Sequence, residues 1–561
     1  MKQLLITLIC IALSAIAMAQ DDDWAKKALD SQQQSLKEYE AFRQQALKDY
    51  DDFRKKANEE YAKFMEESWK FFGVAKPKEE LPWEPKPPQP VVAVPEDEVV
   101  PPMPVPEPKP EPEPKPSPEQ KPDQQPQDQP EAPEPQPRPE PIPVPDQKPV
   151  HELDKPAEPQ PAPIQVRPSS MPIPFDGTVR PAKPIEKQPQ PFEPIQFTPH
   201  LNDPIEYAYF FGTPLPFHFD RKHALQPLPD VTEKSVAALW TQLSDPYYDQ
   251  LIVECLNHRE ERNLNDWAFI MLTKMVAEAC CNGHTNESVV MHMYLLTQSG
   301  YQMRLGRTGK KLAILVGSEE KIYHYKYFVI DGVKYYNFDA SLEDEPFNIF
   351  DHAFPKEKVF SLRMTMPKLM VETTEPRTIV SKRYPDVTAT VEMNQNLIDF
   401  YNTCPLSAQW CYYSSASLSP TVKETLYPAL RKAIQGKSQA DAANILLNLV
   451  QTGFKYATDQ DQFGYERPLF PDETFYYPFC DCEDRSILYS CLMRELLGLD
   501  AVLLNYPGHL ATAICFTDNV EGDYLTIDGK KYVICDPTYI NAAIGRCMPD
   551  FKTVMPRVER F

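Results

Sequence analysis

Three side chains near the C-terminus carry the groups of a nucleophilic catalytic site: Cys482, His509 and Asp536. A thiol, an imidazole and a carboxylate together can generate and orient a thiolate nucleophile. The surrounding residues place Cys482 at the start of a helix, His509 at the start of a strand and Asp536 at the end of another strand. Because all three lie at the ends of elements, we expect them to converge on one edge of a sheet.

The predicted helix begins at Cys482 and runs to about Leu497. The free amides and the dipole at a helix N-terminus favour a thiolate over a thiol and can also bind an oxyanion. The negative charges of Glu483 and Asp484 in the first turn partly oppose thiolate formation. Cys482 is therefore the predicted nucleophile, and Cys480 is predicted to be a buried thiol or a disulfide partner.

His509 and Asp536 each have a structural alternative. His509 opens an alternating strand, which suits a base, but a histidine beside a turn can also simply cap a strand. Asp536 can form a turn, or it can accept the second ring N–H of His509 and so orient the imidazole. A zinc site made by Cys480, Cys482 and His509 is a further alternative. It lacks a second paired ligand motif, so no metal and no cofactor are predicted.

An internal repeat connects the C-terminal half to an earlier part of the chain. Residues 283–316 align without a gap to residues 481–514. Each copy has the pattern of a helix, a glycine at its C-terminal end, two strands, and then a hairpin with Asp-Gly at its tip. The matching positions of the glycine and of the Asp-Gly tip predict a duplicated α/β unit.

The two copies differ where chemistry would occur. Opposite the predicted nucleophile and base, the first copy carries other side chains, and it keeps only the carboxylate: its residues are His284, Lys311 and Asp339. With neither thiol nor base, the first copy is predicted to be non-catalytic. It would serve as a scaffold or as a wall of a substrate groove.

The C-E-D at the helix start, the G-H that opens a strand and the D-P-T that closes one resemble the transglutaminase-like cysteine enzymes, which are papain-like, particularly those of secreted bacterial proteins. The resemblance covers roughly residues 420–561 well and 205–345 as a degenerate copy. It implies an α+β fold with tandem transglutaminase-like domains.

The resemblance also implies roles for individual residues. Cys482 would be the nucleophile, His509 the general base and acid, and Asp536 the orienting carboxylate. Family members place an oxyanion donor upstream of the cysteine, and the candidates in this chain are Gln460 and Gln462.

The N-terminal residues 1–19 have the features of a secretory signal, with Lys2 before an apolar run and a small-residue cleavage site ending at Ala19. Cleavage after Ala19 predicts a secreted or periplasmic protein. No later stretch reaches about 18 uninterrupted apolar residues, so no transmembrane segment is expected after signal removal.

Residues 20–73 are predicted to form an amphipathic or coiled-coil helix. From residue 22 to 73 aromatic residues recur with a period of eleven, which keeps them on one helix face: the repeats are Tyr39, Tyr50, Tyr61 and Phe42, Phe53, Phe64. The face suggests self-association or docking to a partner. Its polar side is mixed in sign, which favours these alternatives over a membrane surface.

Composition divides the rest of the chain. Residues 74–200 are rich in proline and poor in apolar residues, which predicts a disordered linker. A degenerate domain at 201–358, a strand-rich connection at 359–415 and a catalytic domain at 416–561 follow.

The net charge of −23 argues against nucleic acid as a partner, because nothing in the chain would neutralise phosphates. Twelve cysteines are present, one of them within the signal, so an odd number remains in an oxidising compartment. Cys404 and Cys411 are a plausible local disulfide.

These features lead to two hypotheses of different classes. The first is an exported cysteine enzyme that forms a thioester with a carboxamide of a protein or peptide substrate. Hydrolysis is favoured over cross-linking, because water is always available and the sequence shows no amine-binding feature. The alternative is a non-catalytic scaffold or binding module of the cell envelope that retains the fold.

Overall fold

The computed structural model describes residues 22–82, 86–93, 179–180, 195–339 and 345–561. The predicted signal at 1–19 and most of the predicted linker lie outside these residues. One unit comprises Met1–Val91 and Pro168–Phe561; of the other, Val92–Arg167, the structure describes Val92 and Ala93. Within the described residues, no helix has the length and apolarity needed to cross a membrane.

Helices and strands are mixed along the chain, which confirms the predicted α+β class. The helices are α1 (Asp22–Met65), α2 (Glu233–Leu243), α3 (Asp249–Glu261), α4 (Asp266–Cys280), α5 (Asn286–Gln298), α6 (Gln395–Tyr401), α7 (Trp410–Ser414), α8 (Pro420–Ile434), α9 (Gln439–Gly453), α10 (Asp459–Gln462), α11 (Glu473–Tyr476) and α12 (Cys482–Leu497). The strands of the first half are β1 (Lys70–Gly73), β2 (Val179–Arg180), β3 (Ile205–Phe210), β4 (Thr213–His218), β5 (Met303–Thr308), β6 (Lys311–Ser318), β7 (Lys326–Ile330), β8 (Val333–Asn337) and β9 (Phe347–Phe350). The remaining strands are β10 (Arg377–Val380), β11 (Thr388–Val391), β12 (Lys455–Tyr456), β13 (Phe479–Cys480), β14 (Asp500–Tyr506), β15 (His509–Cys515), β16 (Tyr524–Ile527), β17 (Lys530–Cys535) and β18 (Arg557–Glu559).

Two six-stranded sheets share one strand order, although the edge strand β1 pairs antiparallel with β9 and the edge strand β2 pairs parallel with β18. The first sheet has the order β1-β9-β5-β6-β8-β7 and the second, read from its opposite edge, has the order β2-β18-β14-β15-β17-β16. The inner strands β6 and β15 begin at Lys311 and His509, the two residues that the sequence alignment places opposite each other. The sheets therefore agree with an internal duplication in strand order as well as in sequence.

The turn residues and the helix-ending glycine predicted from the sequence repeat are also present. The hairpin tips at Asp331-Gly332 and Asp528-Gly529 have both residues at positive φ, with values of 50° and 81° in the first tip and 50° and 75° in the second. Two successive residues at positive φ are typical of the tight turns that match the twist of a β-hairpin. Gly498 ends α12 in the left-handed conformation, as a C-terminal glycine is expected to do.

Helix α1 ends at Met65, earlier than the predicted range, and Lys70–Gly73 form an edge strand of the first sheet. Near the end of the aromatic repeat, Tyr61 is buried and packs against Trp240 with ring centroids 4.8 Å apart, whereas Phe64 remains 42% exposed. The start of the repeat stays exposed, with Tyr39 at 55% and Phe42 at 71% of their full exposure. Intramolecular packing thus takes up only the C-terminal part of the predicted docking face.

The predicted linker begins later than residue 74. We call residues 76–91 the strap; the structure describes 76–82 and 86–91 of it. The strap pairs with the first sheet through a backbone hydrogen bond from Lys76 to Tyr327 of 2.8 Å. Near its other end, the carbonyl of Val91 accepts a hydrogen bond of 2.8 Å from Ile540. These contacts order a segment whose composition alone predicts disorder.

The connection at 359–415 contains helices α6 and α7 besides the short hairpin β10–β11, so it is less strand-rich than predicted. All eleven cysteines in the described part of the chain are free thiols, and the Cys404–Cys411 disulfide is not formed. Both thiols are partly buried in the same apolar core.

Candidate active site

The imidazole of His509 and the carboxylate of Asp536 form a buried pair. His509 Nε2 and Asp536 Oδ2 lie 2.9 Å apart, and both residues are almost inaccessible to solvent. The other carboxylate oxygen accepts backbone hydrogen bonds of 2.9 Å from Thr538 and 3.1 Å from Tyr539. Asp536 therefore both forms the turn and contacts the ring, so the contacts of both sequence alternatives are present in the structure.

Two aromatic rings fix the plane of the imidazole. Phe551 stacks on His509 with a centroid distance of 4.9 Å and an interplanar angle of 11°. The ring of Tyr506 is nearly parallel to the imidazole, and the centroids of these two rings are 6.3 Å apart. Because Nε2 is directed at Asp536, Nδ1 is the ring nitrogen that remains for proton exchange with a nucleophile.

Cys482 is the first residue of α12, and the start of this helix is held by buried polar contacts. Arg485 donates to the carbonyls of Gln451 and Phe454 at 3.2 and 3.1 Å. Ser486 Oγ donates to the carbonyl of Leu510, the residue after His509, at 2.8 Å. The helix start and the strand start are thereby tied together.

Cys482 and His509 line one cavity of about 360 Å³. The neighbouring Cys480 is a buried thiol that accepts a hydrogen bond from Arg485, as one of the two sequence alternatives predicted. Cys482 and His509 thus border the same space, whose volume is in the range of small-ligand sites.

Burial and the neighbouring carboxylate favour the protonated form of the Cys482 thiol. Burial raises the pKa of Cys482 well above its usual value, and the nearby Glu483 carboxylate raises it further. Within the described part of the chain the thiol hydrogen bond goes to Glu483 Oε2 at 3.1 Å rather than to His509. The helix dipole is therefore outweighed by burial and by the first-turn carboxylates.

Five buried acidic residues surround the beginning of α12: Asp459, Glu466, Asp481, Glu483 and Asp484. Burial raises the pKa of all five carboxyl groups, and that of Asp484 reaches about 8. Subsets of this cluster, including Asp481 with Cys482 and Glu483, bring ligand atoms within 4.8 Å of one another, as a metal site would. The cation among them in this structure is the ammonium of Lys86 from the strap.

The two predicted oxyanion donors do not reach the cavity. Gln460 is exposed, and the side-chain amide of Gln462 exchanges hydrogen bonds with the backbone of Phe479 at 3.2 and 3.0 Å. Gln409, which immediately precedes α7, lines the cavity together with Trp410. Sequence reasoning missed Gln409 because no motif connects it to the cysteine helix.

The first copy holds a different constellation. His284, opposite Cys482 in the alignment, lies 3.4 Å from Asp339 and 2.9 Å from Glu278, while Lys311 is exposed at the start of β6. Asp339 and Glu278 raise the pKa of His284 to about 9. A half-exposed imidazolium between two carboxylates is an ion-pair arrangement and contains no nucleophile.

The charge of His284 predicts a specific pH dependence of stability. A histidine whose pKa rises from 6.5 to about 9 on folding contributes stability that is fully present below pH 6.5 and is lost as pH rises through 9. The melting temperature of a His284→Gln variant should fall below that of the wild type at pH 6, and the difference should vanish near pH 10. Differential scanning fluorimetry across this range measures it. A difference that is constant with pH would contradict the ion-pair interpretation.

When the chain is compared with protein families, with curated proteins and with solved structures, none of them matches it.

Proposed function

We propose that this protein is an exported cysteine enzyme of the transglutaminase-like type. Its substrate would be a carboxamide of a protein or peptide, and Cys482, His509 and Asp536 would form the catalytic triad. The observation that supports this most directly is the buried 2.9 Å contact between His509 and Asp536 at the wall of a cavity that Cys482 shares.

The chemistry would proceed in two steps. As Cys482 Sγ attacks the carboxamide carbon, His509 Nδ1 takes the thiol proton, and the protonated imidazole then delivers it to the leaving nitrogen. The backbone N–H of Cys482 at the helix start, with Gln409 as a second donor, would stabilise the oxyanion. The result is a thioester and a released amine or ammonia, and water activated by His509 then cleaves the thioester.

Hydrolysis is favoured over transfer to an amine. An amine attacks a thioester only in its unprotonated form, and the acidic residues beside Cys482 favour the ammonium form. Water carries no such restriction. The acidic surroundings thus support an amidase or peptidase reaction.

In this proposal both halves of the chain are transglutaminase-like domains, the first of them degenerate. The shared strand order supports the pairing of the two halves, and so does the matched position of Lys311 and His509. Because the first half carries His284 in place of the nucleophile, it would act as a scaffold.

A non-catalytic binding module is the second candidate. It is favoured by one observation: the Cys482 thiol is almost fully buried and hydrogen-bonded to Glu483, and burial raises its pKa. A protein that has lost its activity would tolerate such a state permanently, whereas an enzyme would leave it during its reaction cycle.

A product assay separates these candidates. The wild type and a Lys86→Ala variant, in which the cation beside Cys482 is removed, are incubated with glutamine-containing peptides, with and without a primary amine. Mass spectrometry and an ammonia assay identify the products. We expect ammonia release with formation of the acid. Amine incorporation without acid would overturn hydrolysis, and the absence of both products in both proteins would favour the binding module.

A further inference from the structure

The strap inserts a lysine into the acidic cluster beside the candidate nucleophile. The Lys86 side chain is only 5% exposed, and its Nζ lies 2.7 Å from Glu466 and 2.9 Å from Asp481. It also forms an ion pair with Glu483, whose other carboxylate oxygen accepts the Cys482 thiol hydrogen bond. The ammonium is therefore separated from the sulfur by a single carboxylate.

The carboxylates lie on parts of the folded domain outside the strap. Asp481 caps α12 and Glu483 lies in its first turn. Asp481 Oδ1 and Glu466 Oε2 are buried and accept no N–H or hydroxyl hydrogen bond from the described residues, while the other oxygen of each carboxylate accepts from Lys86. Buried carboxylates are costly without a donor, and the described donor that reaches Glu466, Asp481 and Glu483 together is Lys86.

The contact geometry fits a primary ammonium group. An ammonium has three N–H donors and no acceptor, and three separate carboxylates surround Lys86 Nζ. A guanidinium would instead favour a planar, two-pronged contact with one carboxylate. The arrangement of single contacts from three directions therefore selects a lysine-like group.

The bound ammonium is a recognition element and not a nucleophile. Burial lowers the pKa of Lys86, but the charges of Glu483 and Asp481 outweigh burial and raise it well above its usual value. A nitrogen that keeps its proton does not attack a thioester. The site would thus bind an ammonium group, and it would not supply a neutral amine that attacks the thioester.

We propose that Glu466, Asp481 and Glu483 form a subsite for the ammonium group of a lysine side chain on a peptide ligand, and that Lys86 fills this subsite in the present structure. Leu81 and Pro82 of the strap line the same cavity as Cys482 and His509. The strap is therefore an internal occupant that an external lysine-bearing peptide must displace. The subsite is defined by ligand binding, so its test does not depend on whether the proposed reaction occurs.

A chemical rescue experiment tests the subsite. Replacing Lys86 by alanine removes the ammonium and three methylene groups, which n-propylammonium replaces. We expect the Lys86→Ala variant to melt below the wild type. We further expect millimolar n-propylammonium chloride to raise its melting temperature by several degrees in a saturable manner. Lys78→Ala is the matched control, because Lys78 lies on the same strap with its side chain 55% exposed. Neither the control nor the wild type should respond.

Several outcomes would overturn the proposal. Equal rescue by propan-1-ol would show that filling space is sufficient, and a larger rise with Ca²⁺ or Mg²⁺ would identify a metal site instead. A Lys86→Met variant keeps the aliphatic volume and should not respond to n-propylammonium. If Lys86→Ala does not fold, the titration is read as recovery of the circular dichroism signal on refolding. The absence of any recovery would then refute the subsite.

Discussion

His509→Ala and Cys482→Ala are each expected to reduce kcat by roughly 10⁴- to 10⁶-fold, as the loss of a nucleophile or base from a triad does. The reason is that the sulfur is not an effective nucleophile until its proton leaves, and burial opposes that loss. Both substitutions are made in the protein that turns over the glutamine peptide, either the wild type or Lys86→Ala. The double variant should be no slower than either single variant, because the two groups act as a unit. Single-turnover rates with the peptide measure the effect.

The first copy provides the control for this prediction. His284 occupies the position equivalent to Cys482 in the alignment, is half-exposed and is not among the residues that line the cavity. His284→Ala should leave kcat unchanged. If His509→Ala reduced kcat less than tenfold, the base would have to be another group and the triad assignment would be wrong.

The second large effect is expected for Asp536→Asn, with a reduction in kcat of roughly 10⁴-fold. The asparagine oxygen can still accept the backbone hydrogen bonds of Thr538 and Tyr539, so the turn should persist. Its NH₂ group, however, would face His509 Nε2 and select the tautomer with a proton on Nδ1. That proton would block the acceptance of the thiol proton.

The melting temperature and kcat of Asp536→Asn together separate an orienting role of this carboxylate from a purely structural role. A near-native melting temperature combined with a large loss of kcat supports an orienting carboxylate, whereas an equal loss of stability would indicate that Asp536 mainly holds the turn. Asp339→Asn in the first copy is the matched control and should retain full activity, because Asp339 pairs with His284 and not with the candidate catalytic base His509.

Local sequence signals predicted the elements around the site well. Helix α12 has the predicted bounds of Cys482 and Leu497, β15 begins at His509, and Asp536 follows directly after β17. These features depend on apolar periodicity, turn residues and a terminal glycine, all of which act over a few residues. The same local signals mark the internal repeat, with which the strand order of the two sheets agrees.

The contacts that set the state of the site were not predictable in this way. Lys86 lies in a proline-rich stretch, and its partner Glu483 is almost four hundred positions away in sequence. Gln409 reaches the cavity from a short helix that has no motif. The protonated thiol of Cys482 likewise depends on burial and on neighbouring charges, which only the folded chain brings together.

The position of Lys86 on the same chain as its binding site has a consequence for competition. A tethered occupant acts at an effective concentration set by the chain that links it to the site, typically millimolar for short flexible connections. Dilution of the protein does not lower this concentration. An external peptide must therefore reach comparable local levels, or bind more tightly through its other residues, before it replaces the strap. Occupancy of the cavity would thus respond to ligand abundance with a threshold that is independent of the amount of protein.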